Sequence, residues 1–164
     1  MESSTLKYFE QVLQCPCCMG QLRYDESEVA CVKCDQRYPV HWGIADLRWP
    51  RPDKEEVPSL AWGLLERYPS SSFVNLINYE IESLSTTEKL KQIYRAYRFT
   101  AVERGVRLEY MFRRCLSRHF QLPGHAVALS IGCGSGASLP AMAEDFKWVC
   151  GFDPFLPDLI LARK

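Results

Sequence analysis

The sequence predicts an α/β protein with a small cysteine-rich module at its front and the opening of a parallel sheet at its back. Two observations carry this. Four cysteines stand as two Cys-x-x-Cys pairs within the first 34 residues. Far downstream, an apolar run, a glycine loop, a helical stretch and a second apolar run follow one another in that order, which is how a parallel α/β sheet begins. Between them lies a segment with helical periodicity.

The front module spans residues 1–49 and holds Cys15-Pro16-Cys17-Cys18 and Cys31-Val32-Lys33-Cys34, with 12 residues between the pairs. Five of the eight cysteines lie here, while Cys115, Cys133 and Cys150 are scattered. Clustered cysteines in a reducing compartment suggest metal rather than disulfides. Zinc prefers four tetrahedral ligands and takes thiolates well. Cys15, Cys18, Cys31 and Cys34 are therefore the expected ligands of a structural Zn2+, closed to chemistry because four thiolates leave no open position. Cys17 could replace Cys15 or Cys18, although Cys15 with Cys18 gives the usual two-residue gap. Free buried thiols and a redox pair are the competing readings. So short a segment has a marginal core, so metal would supply much of its folding free energy.

Residues 50–87 are read as a linker and a helix. The run PRPDKEEVP at 50–58 carries three prolines and five charges, a linker composition. The third domain, 88–164, opens with a helical lead-in. Leu90, Ile93, Tyr94 and Tyr97, then Val106, Leu108, Met111, Phe112 and Leu116, recur at helical spacing. Two helices broken near Gly105 are expected. From Glu88 to Phe120 there are nine basic residues against three acidic ones. Basic residues 89–118, interleaved with Tyr94, Tyr97, Phe99 and Tyr110, offer a possible RNA contact. The competing reading is a solvated helix face.

At Leu122-Pro123-Gly124 the helical pattern stops. AVALSI (126–131) is predicted as a buried strand, Gly132-Cys133-Gly134-Ser135-Gly136 as a tight loop, and ASLPAMAEDF (137–146) as a helix. WVCGFD (148–153) is the second strand and LPDLILARK (156–164) the second helix. Glycine serves where φ is positive or where a ligand must approach the backbone, and a helix N-terminus would add free N–H groups. Asp153, 17 residues after Gly136, stands where a carboxylate can accept from both hydroxyls of a ribose. Read as Gly132-x-Gly134-x-x-Ala137, the loop also fits the dinucleotide fingerprint, which keeps NAD open. A strand-to-helix turn without a ligand is the plainest alternative.

Two resemblances join these parts. LQCPCCMGQL…CVKCDQRYPVHWGIADL resembles the zinc ribbon of small proteins that bind and activate tRNA and protein methyltransferases. The matching residues are Leu13, Cys15, Pro16, Cys18, Gly20, Leu22, Cys31, Cys34, Tyr38, Pro39, Gly43, Ile44 and Leu47. In that family the Tyr-Pro and Gly-Ile elements pack beside the metal, so Tyr38, Trp42 and Ile44 are expected to form a minimal core. Residues 88–164, on ALSIGCGSG and VCGFDP, resemble the first motifs of class I S-adenosylmethionine-dependent methyltransferases. The resemblance implies a Rossmann-like sheet and a cofactor site at Ser130, Gly132, Cys133, Gly134, Ser135, Gly136 and Asp153. Glycines 132, 134 and 136 would hold the methionine end and Asp153 the ribose. The family usually has an acid where Ser130 stands, and serine carries no charge.

This chain has only two strands of the larger sheet such enzymes build, so a partial or truncated chain is expected and no catalytic residue is named. The implied activity is S-adenosyl-L-methionine-dependent methyl transfer to RNA or a small molecule. The rival is a non-enzymatic zinc-ribbon module that docks on a partner methyltransferase. His41, His119 and His125 show no catalytic spacing, and Cys115 and Cys150 look like core thiols. Charge is balanced at 20 basic and 20 acidic residues. No apolar run reaches the roughly 20 residues of a membrane span, and the N-terminus lacks signal-peptide character. These features predict a cytoplasmic protein without a membrane partner.

Overall fold

The computed structural model describes residues 10, 12–50, 57–116 and 126–164, which form a mixed α/β structure in two compact units, Met1–Glu55 and Glu56–Lys164. Most of the charged linker run, together with Arg118, His119, Phe120 and His125, lies outside the described residues.

The first unit is a curled antiparallel sheet of four strands in chain order: β1 (Leu22–Tyr24), β2 (Glu28–Cys31), β3 (Arg37–His41) and β4 (Ile44–Ala45). Alternation decides its inner face. Leu22 pairs with Cys31, Tyr24 with Val29, and Val29 with Tyr38. Because side chains alternate across a strand, Leu22, Val29, Cys31 and Tyr38 share one face, and with Cys15 they are the buried core of the unit. So small a core is marginal by itself. The β3–β4 hairpin turns on Trp42 and Gly43, both at positive φ (51° and 75°), as a tight two-residue hairpin requires. Trp42 is therefore at a turn tip and 37% exposed rather than part of the core. Its place in the turn outweighs its hydrophobicity.

The second unit begins with helices α1 (Ser59–Arg67), α2 (Phe73–Glu82), α3 (Glu88–Phe99) and α4 (Ala101–Leu116). Ser72 and Thr87 cap α2 and α3 by accepting from the N–H groups of Asn75 and Leu90, which satisfies donors no helix can satisfy internally. Strand β5 (Val127–Ile131) runs parallel to β6 (Trp148–Phe152), with α5 (Leu139–Met142) between them and α6 (Leu156–Ala162) after them. Leu64, Leu76, Ile77, Ile81, Ile160 and Leu161 are buried, on α1, α2 and α6, which pack together.

Further expectations change. AVALSI, expected as a buried strand, leaves Leu129 and Ile131 exposed, and Cys115, expected as a core thiol, is exposed too. The break between the lead-in helices falls at Thr100, not near Gly105, which sits buried inside α4. A Cβ there would run into the carbonyl of Ala137 and come within 2.8 Å of the Ser138 nitrogen. This glycine is a close-packing position, not a breaker. The helix expected over 137–146 shortens to Leu139–Met142. Gly136 at φ +77° and a non-helical turn precede it, so the glycine loop runs into turns and not directly into a long helix. Among the described residues, no helix is long and apolar enough to cross a membrane.

Candidate functional site: a four-cysteine cluster and a glycine loop

The sulfurs of Cys15, Cys18, Cys31 and Cys34 all lie within 4.8 Å of one another. Cys15 Sγ is 3.7 Å from Cys34 Sγ, and Cys18 Sγ is 3.5 Å from Cys31 Sγ. A tetrahedral ion with bonds of about 2.3 Å to sulfur places its ligands about 3.8 Å apart, so the donor set fits a metal such as zinc. Two turns of the same design build it. Cys15 N–H donates to Gly20 O and Met19 N–H to Cys15 O, both at 2.8 Å, while Cys31 N–H donates to Gln36 O at 2.8 Å. The residue after each second cysteine, Met19 or Asp35, takes positive φ (58° and 54°), which turns the chain back. Cys17 points outward and is exposed, so the cluster does not include it.

Electrostatics makes the four thiols unequal. Burial opposes ionisation of Cys15, but the Tyr38 hydroxyl and the backbone N–H groups of Cys18 and Cys17 outweigh it and bring the thiol down to about 6. Cys31 also comes down: burial opposes ionisation, but the N–H groups of Lys33 and Cys34 outweigh it. Cys18 is pushed up to about 12, first by Cys34 and then by burial. Cys34 is favoured as thiolate by the Gln36 N–H, yet it is raised by burial and by Cys31 and Cys15. Four thiolates this close cannot all ionise alone. A divalent cation removes that conflict.

In the second unit the parallel register sets Ser130 opposite Gly151 and Ile131 opposite Phe152. The loop is thereby delivered to the end of β6. Gly132 and Cys133 both donate N–H to Phe152 O, at 2.8 and 2.9 Å. Asp153 Oδ2 accepts from Gly134 N–H at 2.9 Å, and Oδ1 accepts from Phe155 N–H at 2.8 Å. A carboxylate has about four acceptor positions, so Asp153 fixes the loop and keeps capacity for a ligand. Gly132 and Gly134 stand at φ +72° and +52°. A Cβ on Gly132 would meet nothing within 4 Å, which leaves the backbone open on that side. Gly136 is different: Ala162 Cβ would lie 3.0 Å from its Cβ, so it serves packing. Cys133 is buried, and its sulfur faces Gly151. Ser130 and Ser135 are half-buried.

Beside this loop is a charged cluster that sequence reasoning did not find. Arg98, at the end of α3, donates Nη2 to Glu80 Oε1 of α2 and to Asp158 Oδ1 of α6 (2.6 Å). Its Nη1 reaches Ser135 Oγ at 3.5 Å. Asp158 Oδ2 would lie 3.8 Å from a Cβ on Gly134. Burial raises Glu80, and Arg98 only partly offsets it. Nothing in the sequence signalled this meeting of three helices, because the partners are 18 and 60 residues from Arg98.

Much of the basic stretch is spent internally. Lys91 pairs with Glu82 (3.1 Å) and Glu88 (3.4 Å), Arg95 with Glu82, Arg107 with Glu103, and Arg113 with Asp145 (2.6 Å). Arg104 lies over the Tyr97 ring, 3.8 Å from its centroid. His41 sits on β3, its ring 5.8 Å from that of Trp42. Compared with protein-family models, curated proteins and solved structures, the chain matches none.

Proposed function

We propose that the chain belongs to an S-adenosylmethionine-dependent methyltransferase, in which the four-cysteine cluster holds a structural zinc and the glycine loop holds the cofactor. The observation that carries the loop assignment is the meeting of Gly132, Gly134 and Asp153. Two residues at positive φ leave the backbone open beside a carboxylate with spare acceptor capacity. The open side of Gly132 and the Ser130 hydroxyl would face the methionine end, and Asp153 would accept from the ribose hydroxyls. When bound, the cofactor supplies an electrophilic methyl group. This chain's part is to orient it. RNA and small molecules remain the acceptor classes. Internal pairing of Lys91, Arg95, Arg98, Arg107 and Arg113 favours the small molecule.

Four thiolates close the coordination sphere, so the zinc would brace the fold and do no chemistry. A second reading has one supporting observation. The cysteine module forms its own compact unit with its own core, as a ribbon that docks on a partner methyltransferase would. Calorimetry with S-adenosylmethionine and with NAD separates the readings. Heat with S-adenosylmethionine and none with NAD is expected. Binding of NAD alone would sink the methyltransferase assignment, and binding of neither would favour the docking module.

A further inference from the structure

Tyr38 looks at first like part of the small core, since its side chain has no exposure at all. A phenylalanine would fill that space without a polar atom to satisfy. A buried hydroxyl left unpaired costs about 1–3 kcal/mol, so its partner matters. That partner is Cys15 Sγ, 3.1 Å from Tyr38 Oη. The pairing of Val29 with Tyr38 and of Leu22 with Cys31 turns the tyrosine onto the face where the four sulfurs lie. The contact is long-range, 23 residues apart in the chain, so it joins β3 to the first cysteine turn.

With a metal on Cys15 the sulfur carries no proton, and the hydroxyl can only donate. We propose that Tyr38 is a positioning residue of the metal site, donating a hydrogen bond to the metal-bound sulfur of Cys15 and thereby orienting it and lowering its reactivity. The four thiolates are then unequal. Cys15 is fully buried and hydrogen-bonded by a side chain, whereas Cys18 and Cys34 are only half-buried and form the edge open to attack. Donors of this kind behind metal ligands are worth about 10–100-fold in metal affinity. The inference rests on reading the four thiols as a metal site, and it is independent of the glycine loop.

The test uses the full chain loaded with Zn2+ or Co2+. In Tyr38→Phe, Zn2+ affinity measured against a competing chelator is expected to fall about tenfold. The sulfur-to-Co2+ charge-transfer band should move to lower energy, because the undamped thiolate gives up electrons more easily. A second variant guards against loss of folding: 3-fluorotyrosine at position 38 keeps the shape, strengthens the donor and should move the band the opposite way. Val40→Ala, on the same strand and against the same core, should lower the melting temperature and leave the band in place. Unchanged affinity and band in Tyr38→Phe would overturn the proposal, as would the same band shift in Val40→Ala. No Co2+ band in the parent protein would instead sink the metal reading.

Discussion

Single residues in this molecule have effects that depend on what backbone lies next to them. Gly105 has α4 pressed on the chain at Ala137 and Ser138. An added methyl there meets backbone, which cannot give way as a flexible side chain can. Gly105→Ala is therefore expected to cost about 1–3 kcal/mol, although alanine favours helices. Thermal unfolding checks this, and a rise in melting temperature would refute it. Gly132→Ala offers the contrast. It has free space but a positive φ, so it should cost about 1–2 kcal/mol of strain and, on the proposed function, abolish the calorimetric heat with S-adenosylmethionine. Arg98→Met leaves Glu80 and Asp158 without their cation, which should cost about 3–5 kcal/mol. The pH dependence has a definite sign. Burial holds Glu80 above its ordinary value of 4.5, so its stabilising contribution is present below 4.5 and lost as pH rises through the folded value. Removing Arg98 enlarges that loss. The melting temperature of the variant should rise on acidification towards pH 4.5 more than that of the parent.

Elements follow local rules except where packing overrides them. The parallel strands and the helical stretch from Glu88 were legible, because apolar runs and helical spacing signal themselves locally, whereas 50–87 predicts a linker and one helix and holds both Ser59–Arg67 and Phe73–Glu82. The length of α5 was not legible either. Between Ala137 and Phe146 only Pro140, favoured in a helix's first turn, marks where Leu139–Met142 starts, and the chain is diverted there by Gly136 and by its contact with α4. Strand β5 pairs with one neighbour among the described residues, and Ile131 is 88% exposed with Leu129 beside it. An apolar, uncharged edge is a template for pairing with another chain. The protein should associate as its concentration rises, measured by light scattering. Ile131→Lys should raise the concentration at which it does so, with the circular dichroism spectrum unchanged. If the substitution makes no difference, the edge is not the site of association.

At the scale of the whole molecule, two compact units carry separate cores. One is held by Leu22, Val29, Tyr38 and the cysteines, the other by Leu64, Leu76, Ile77, Ile81, Ile160 and Leu161. A strong chelator should therefore unfold the first and spare the second. Hydrogen exchange would read this as lost protection at Val29 and Tyr38 with retained protection at Ile77 and Ile160. Protection lost together in both would show that the units fold as one. The cysteine site was the most legible part of the molecule, because two turns of fixed spacing place two sulfurs each almost regardless of context.

Taken alone, the sequence determined the four-cysteine set, the two parallel strands and the glycine loop between them. Each rests on short-range spacing, and short-range geometry is encoded residue by residue. Tertiary structure decided the rest. It put Tyr38 on Cys15, Arg98 between Glu80 and Asp158, Gly105 against the loop's exit, and Trp42 on a turn tip instead of in the core. Those meetings bring together residues far apart in the chain, or depend on a backbone turn, and no local pattern records them.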